Sequence, residues 1–272
     1  MADCDHNCSS CGVEGCGERE EMDLRAYLNQ ASSVKKVFGV VSGKGGVGKS
    51  MVTGLMACAA AKAGQKTAIM DADITGPSIP TAFGLKEQLV ACEYGLIPAV
   101  TRLGIDVVSL NLLIENETDP VVWRGPVIAG VIKQFWTEVW WNEEDVMFID
   151  MPPGTGDVPL TIFQSLPLEG IVVVTSPQEL VGKIVEKAVK MANLMNIPVI
   201  GLVENMSYIK CPDCGQIIRP FGESHIKKLA VQYGIPHTAE MPIDPQLAHL
   251  VDAGRIEEIQ DNPLEKFTKE IL

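Results

Sequence analysis

Residues 43 to 50 read Gly-Lys-Gly-Gly-Val-Gly-Lys-Ser, and this octet restricts the chain to folds in which a strand enters a glycine loop and leaves it as a helix. Gly43, Gly45, Gly46 and Gly48 leave the backbone free to wrap a row of phosphates. Lys49 supplies a cation, and Ser50 a hydroxyl for a magnesium ion. Val47 and Met51 complete the stretch that would touch a nucleotide. The flanks have the required form, because Val37 to Val41 is an apolar run of strand length and Met51 to Ala63 has the spacing of a helix. Lys44 is a second lysine, which the cradle itself does not need.

The remainder of the chain supports a parallel α/β sheet. Short runs rich in β-branched residues recur at Lys66 to Met70, Ile105 to Leu110, Val146 to Ile149, Ile171 to Thr175 and Val199 to Val203, with helical patterns between several of them, notably Glu179 to Asn196. This rhythm predicts a doubly wound, mostly parallel sheet of the P-loop NTPase type. With 272 residues, 46% of them hydrophobic, such repeated units can share one core. The expected division is an appended arm over residues 1–33 and one main domain over residues 34–272. Trp140 and Trp141 continue a helical apolar pattern and read as packing residues.

Ligands of such sheets gather at the carboxyl ends of the strands, and two acidic sequences fall there. Asp71-Ala72-Asp73 closes the strand after the loop helix. Asp150 closes the apolar run Val146 to Ile149 and is followed by Pro152-Pro153-Gly154-Thr155-Gly156-Asp157. Asp150 is placed to hold magnesium through water, and Gly154 to offer a backbone N–H to the terminal phosphate. Asp71 and Asp73 also suit turn formation and helix capping, and capping is the reading for Asp157.

A formal charge of −13 argues against a nucleic-acid partner, which would need a basic face. No apolar run approaches the roughly 18 residues of a spanning helix, and the first residues do not resemble a secretion signal, so the expected location is the cytoplasm, with no membrane association. The C-terminal segment, residues 262 to 272, balances two lysines with two glutamates and is expected to dock on the domain's own core. The eight cysteines divide into Cys4, Cys8, Cys11 and Cys16 near the start, the pair Cys211 and Cys214, and the isolated Cys58 and Cys92. In a cytoplasmic chain the clusters imply metal or redox chemistry, whereas Cys58 reads as a small core residue.

Taken together, Gly43 to Ser50, Asp71 to Pro77, Asp150 to Asp157, Glu204-Asn205-Met206-Ser207 and the pair Cys211 and Cys214 resemble the Mrp family of P-loop ATPases, relatives of MinD that carry iron-sulfur clusters. The resemblance implies a homodimer that sandwiches ATP, with Lys44 reaching the partner's phosphates. It also implies that Asp73 orients the attacking water, that Asp71 lies near the magnesium site, and that Asn205 reads adenine while Met241 to Pro245, with Pro242 among them, closes near the base. Lys44, Lys49 and Asp73 are then the catalytic set.

Two thiolates are half of a four-ligand site, and a twofold axis would double them. One [4Fe-4S] cluster shared between subunits is therefore expected at Cys211 and Cys214. Half a zinc ribbon and a redox dithiol are the alternatives. The arm's own four thiols, Cys4, Cys8, Cys11 and Cys16, could hold a second [4Fe-4S] cluster, as in the longer members of that family, although their spacing departs from that pattern. Zinc, with His6 in place of one thiol, is the other reading. The expected function is an ATP-hydrolysing carrier or scaffold that passes [4Fe-4S] clusters to apo-proteins. A MinD-like positioning ATPase and a zinc- or redox-sensing nucleotide switch are the alternatives, while a guanine-specific Asn-Lys-x-Asp motif is absent from the sequence.

Overall fold

The structure, a computed structural model, describes residues 25–73, 76, 78–113, 125–154, 156–177 and 181–272. Cys4, Cys8, Cys11 and Cys16 lie outside the described residues. Along the chain run β1 (Ser33–Ser42), α1 (Lys49–Lys62), β2 (Thr67–Asp71), α2 (Ile79–Phe83), β3 (Val90–Cys92), β4 (Gly95–Ile97), β5 (Ala99–Val100), β6 (Asp106–Ser109), α3 (Gly125–Glu138) and β7 (Glu143–Asp150). They are followed by α4 (Asp157–Ser165), β8 (Gly170–Thr175), α5 (Val181–Leu194), β9 (Val199–Lys210), β10 (Ile217–Ile218), α6 (Ile226–Tyr233), β11 (His237–Pro242), α7 (Pro245–Asp252) and α8 (Glu265–Ile271).

The central sheet has the order β10-β9-β8-β1-β7-β2-β6-β5, with β11 pairing β9. All of its pairings are parallel except those of the edge strand β5 with β6 and of β10 with β9. Such a sheet must be covered on both faces, and the strands show how. Val37, Met147, Ile149, Ile171 and Val173 face one apolar layer, whereas the alternating Phe38, Val40, Phe148, Val172 and Val174 face the other. The first layer is closed by apolar residues of α3, α4, α5 and α6, the second by those of α1, α2, α7 and α8. Helix α1 is buried nearly all round and built largely of small residues, which lets it lie close to the sheet. Cys58 is fully buried in it, and burial pushes its thiol up to about 12, so it is inert packing.

The described stretch from Arg25 and the C-terminal segment are both bound to this body. Ala26 N–H donates to the Ser165 carbonyl (2.8 Å), and the Trp136 indole donates to the Ala26 carbonyl (3.1 Å). The described part of the expected arm, from Arg25, therefore packs along α3 and α4. At the other end Leu264 and Phe267 are buried against α1, as expected for a segment that docks on its own core. Among the described residues no helix is long and apolar enough to cross a membrane.

Trp140 and Trp141 depart from the helical expectation. Helix α3 ends at Glu138 because Val139 bridges to Leu96 and the Trp140 N–H donates to the Leu96 carbonyl (2.9 Å). Hydrogen bonding to the β3–β4 hairpin thus overrides the local periodicity. Their packing role stands: Trp141 is fully buried with its indole donating to the Phe135 carbonyl (3.0 Å), and Trp140 packs against Tyr94 in a tilted pair with ring centroids 5.2 Å apart.

Candidate nucleotide site and cysteine hairpin

The glycine loop bridges the carboxyl end of β1 and the first turn of α1, at the centre of the sheet. Gly48 precedes α1 in the left-handed region (φ 81°), and no side chain caps the helix. Its first N–H groups and the positive end of its dipole therefore face the loop, which suits an anion. Two of the glycines are sterically required. A Cβ on Gly43 would lie 2.2 Å from Ile184 Cγ2, and one on Gly48 would lie 2.3 Å from Asn205 Nδ2. Gly45 and Gly46 open instead onto empty space. They line a cavity of about 420 Å³ together with Ser42, Gly48, Lys49, Ser50, Met51 and Asp73. A larger groove of about 550 Å³ near Leu85, Val90 and Val100 contains none of the predicted site residues.

Three carboxylates meet beneath the loop. Asp71 and Asp150 are register partners at the ends of β2 and β7, 1% and 0% exposed. Lys49 Nζ lies 2.8 Å from Asp150 and 3.4 Å from Asp73. Ser50 donates its hydroxyl to Asp150, as does Thr53 at 2.8 Å. The Ser109 hydroxyl donates to Asp71 at 3.0 Å. Burial pushes the Asp71 carboxyl well above the usual carboxylate range, and the neighbouring Asp150 raises it further. Burial also raises Asp150, though Lys49 opposes this. Stacked anions excluded from water require a cation. The donor set fits magnesium, because Ser50 Oγ and Asp150 Oδ2 already touch and both are hard oxygen ligands.

The other predicted residues fall around this centre. Val47 is buried, and Lys44 lies at the loop's rim, its carbonyl accepting from the Ser42 hydroxyl (3.0 Å). Gly154 stands beside the loop at φ 92°, but its N–H donates to the Ser42 carbonyl (2.7 Å), so contact with a phosphate requires that bond to open. Asn205 is 1% exposed, and its amide donates to the Val47 carbonyl (2.9 Å). Pro242 ends β11 in register with Tyr208 of β9, and beyond it Asp244 caps α7.

Cys211 and Cys214 occupy the tip of the β9–β10 hairpin. The Cys211 N–H donates to the Gln216 carbonyl and the Gly215 N–H to the Cys211 carbonyl, both at 2.9 Å, with Gly215 in the left-handed region. Backbone N–H groups of Cys214 and Asp213 aimed at the Cys211 sulfur, with the Cys214 thiol, lower its pKa, which favours the thiolate needed for metal ligation. Cys214 is exposed. Among the described residues no three His, Cys, Asp or Glu side chains are placed to hold one metal ion between them, so within one chain this hairpin supplies a pair of thiols. Exposed Ile217 and Ile218 form the strand returning from it, and exposed Phe221 follows in the turn beyond.

Sequence reasoning did not single out Thr53, Ser109 or Arg219. Thr53 follows Lys49 by four residues on the same face of α1, a spacing that could have identified it. Ser109 and Arg219 carry no such signal, because Asp71, the partner of Ser109, and Ser207 and Glu240, the hydrogen-bonded partners of Arg219, are remote in the chain.

Residues 33–272 match the family profile described as NUBPL iron-transfer P-loop NTPase, of the ParA group. An iron-sulfur cluster carrier protein from Clostridium perfringens is 44% identical over 94% of this chain and 93% of its own length. A nucleotide-binding protein from Archaeoglobus fulgidus, solved in complex with ADP and with cobalt found by PIXE, is 45% identical. It covers 86% of this chain and 92% of its own, with a TM-score of 0.79. The cell-division ATPase MinD of Pyrococcus furiosus shares the fold at 20% identity and a TM-score of 0.57, over 87% of this chain and 98% of its own.

Proposed function

This chain belongs to the NUBPL iron-transfer P-loop NTPases, and we propose that it binds and hydrolyses ATP and uses that cycle to carry an iron-sulfur cluster to acceptor apo-proteins. The observation that carries the reading is that Asn205, which touches the glycine loop, and Cys211, which begins the thiol pair, belong to one continuous stretch of β9 and its exit.

The chemistry follows from the residues beneath the loop. A triphosphate would accept from the loop N–H groups and the first turn of α1, and Lys49 would turn from Asp150 and Asp73 toward it. Magnesium, when bound, neutralises phosphate charge and would be held by Ser50 and, through water, Asp150. Asp73, 8% exposed at the cavity wall, would orient a water on the terminal phosphate. Lys44 on the rim would act on the nucleotide of a second copy, where a cation supplied in trans is worth about 10³ to 10⁵ in rate. Asn205 and Pro242, on adjacent strands, would contact the base.

Two copies related by a twofold axis would bring two cysteine pairs together and complete a four-thiolate site for a [4Fe-4S] cargo. The exposed apolar residues beside the pair suit such a contact. Cys4, Cys8, Cys11 and Cys16 would form a separate metal site in an arm preceding the ATPase domain, with a second cluster or zinc. We place the reaction in the cytoplasm, where thiols stay reduced.

The deciding experiment is anaerobic reconstitution with iron and sulfide, followed by transfer to an apo-ferredoxin. Replacing both Cys211 and Cys214 by serine should abolish transfer while leaving nucleotide binding intact, and undiminished transfer by that variant refutes the carrier role. Iron, sulfide and zinc analysis of a chain lacking residues 1 to 20 separates the arm's metal from the pair's.

A further inference from the structure

The hairpin that carries Cys211 and Cys214 is fastened to the sheet by a polar network that no part of the nucleotide chemistry uses. Ser207 and Glu204 of β9 are 1% and 2% exposed. The Ser207 hydroxyl donates to Glu204 at 2.7 Å and faces Glu240 of β11 at 3.1 Å. One hydroxyl proton cannot serve two carboxylates. Arg219 supplies the missing donors: its Nη1 lies 2.7 Å from Glu240 Oε2 and 3.3 Å from Ser207 Oγ. Its guanidinium also lies 5.9 Å from the centre of the Tyr208 ring, and Nε lies 3.4 Å from Glu223. Arg219 directly follows β10, which pairs with Ile209 and Lys210. The strand leaving the thiols is thus bolted to β9 and β11.

The same stretch of β9 meets the nucleotide loop through Asn205. Between Glu204 and Ser207 stand Asn205, bonded to the Val47 carbonyl, and Met206, whose φ of 60° is left-handed for a residue with a side chain. The side-chain oxygen of Asn205, Oδ1, accepts from the Met206 N–H at 2.9 Å. Pairing with β11 is irregular here, since Glu240 faces Glu204 whereas Pro242 faces Tyr208. Extra residues therefore bow out of β9 between the loop and the network. Such a bulge is a point at which a strand can change its path without losing the ladder on either side. A shift of the loop at Val47 or Gly48 must displace Asn205, because a single methyl on Gly48 would already collide with it.

We propose that Arg219 is a positioning residue that locks the cysteine hairpin to the bulged stretch Glu204–Ser207, so that nucleotide engagement at the glycine loop reaches the thiols through β9. The arginine is suited to this because its rigid planar group sets Nη1 between Glu240 and Ser207 while Nε faces Glu223, directions that the single point charge of a lysine does not fix. The proposal rests on the carrier reading for its purpose, but its physical content is the coupling alone.

The test is isotope-coded maleimide labelling of the full cluster-free chain, with and without a non-hydrolysable ATP analogue and magnesium. Proteolysis and mass spectrometry then give the rate at the peptide holding Cys211 and Cys214. In the unaltered protein the analogue should change that rate by about 5-fold or more, the lower end of ordinary allosteric coupling. Arg219→Met should bring the two rates together while nucleotide affinity stays within about 2-fold, and Arg219→Lys should restore part of the difference. An undiminished ratio in Arg219→Met, or no ratio in the unaltered protein, overturns the coupling. Should Arg219→Met fail to fold, Glu240→Gln removes the arginine's main partner and must also lower the ratio; an unchanged ratio there is equally fatal. Cluster reconstitution on the unaltered chain reads the carrier role separately, so a coupled hairpin that loads no cluster would refute that role and leave the lock standing.

Discussion

Replacing Lys49 by alanine tests whether this lysine holds the site together as well as contacting nucleotide. Its ammonium lies 2.8 Å from Asp150, which at an effective dielectric of about 20 corresponds to an attraction of about 6 kcal/mol. Burying the ammonium cancels much of that gain, so the attraction is not the net worth of the pair. Removing one partner alone leaves Asp150, with no exposure, beside Asp71, and such one-sided losses cost about 3–5 kcal/mol. The sign of the pH dependence follows from the carboxylates. Burial already holds Asp150 and Asp71 above their ordinary range, and without Lys49 both move further up. A group whose pKa is raised by folding loses stability as pH rises through its folded value and regains it as pH falls. The deficit of Lys49→Ala in urea unfolding should therefore be largest near about pH 8 and shrink toward about pH 5. Adding Asp150→Asn should recover about half of it, without restoring hydrolysis. A deficit below about 1 kcal/mol at both pH values, less than a buried pair implies, would refute the description of Lys49 as the counter-ion of the buried carboxylates.

Further outcomes follow from the same geometry. Lys44→Ala should keep nucleotide binding and lose ATP turnover by about 10³-fold or more in a steady-state phosphate-release assay; normal turnover would remove the trans role. Gly48→Ala places a methyl 2.3 Å from Asn205 Nδ2 at a φ of 81°, and should weaken nucleotide binding measured by calorimetry and cost about 1–3 kcal/mol in stability. Burial, with the nearby Asp106 carboxyl, pushes Glu144 up to about 8, and burial pushes Asp106 up to about 6. Stability held by the protonated Glu144 is thus lost as pH rises from its ordinary 4.5 toward 8. Thermal unfolding of Glu144→Gln should be less pH-dependent and higher by about 1–2 kcal/mol near pH 8, a figure kept below the full shift to allow for screening by water.

The sequence alone determined the glycine loop, the helix that follows it, the parallel α/β rhythm and the acids at the strand ends. These are local properties: a loop octet is contiguous, and the alternation of apolar runs and helices has a period readable within a dozen residues. Tertiary structure decided which strands are neighbours, and with that which remote side chains meet. Asp71 and Asp150 become a stacked pair only because β2 lies beside β7, and Ser109 joins them only because β6 lies on the other side of β2. Trp140 left its helical pattern for the same reason, since a backbone bond to Leu96 outweighed a weak periodic preference. The bolt between Arg219 and Glu240 was invisible for a related cause: an ion pair has no sequence period, and its members are chosen by strand order, which no local pattern encodes.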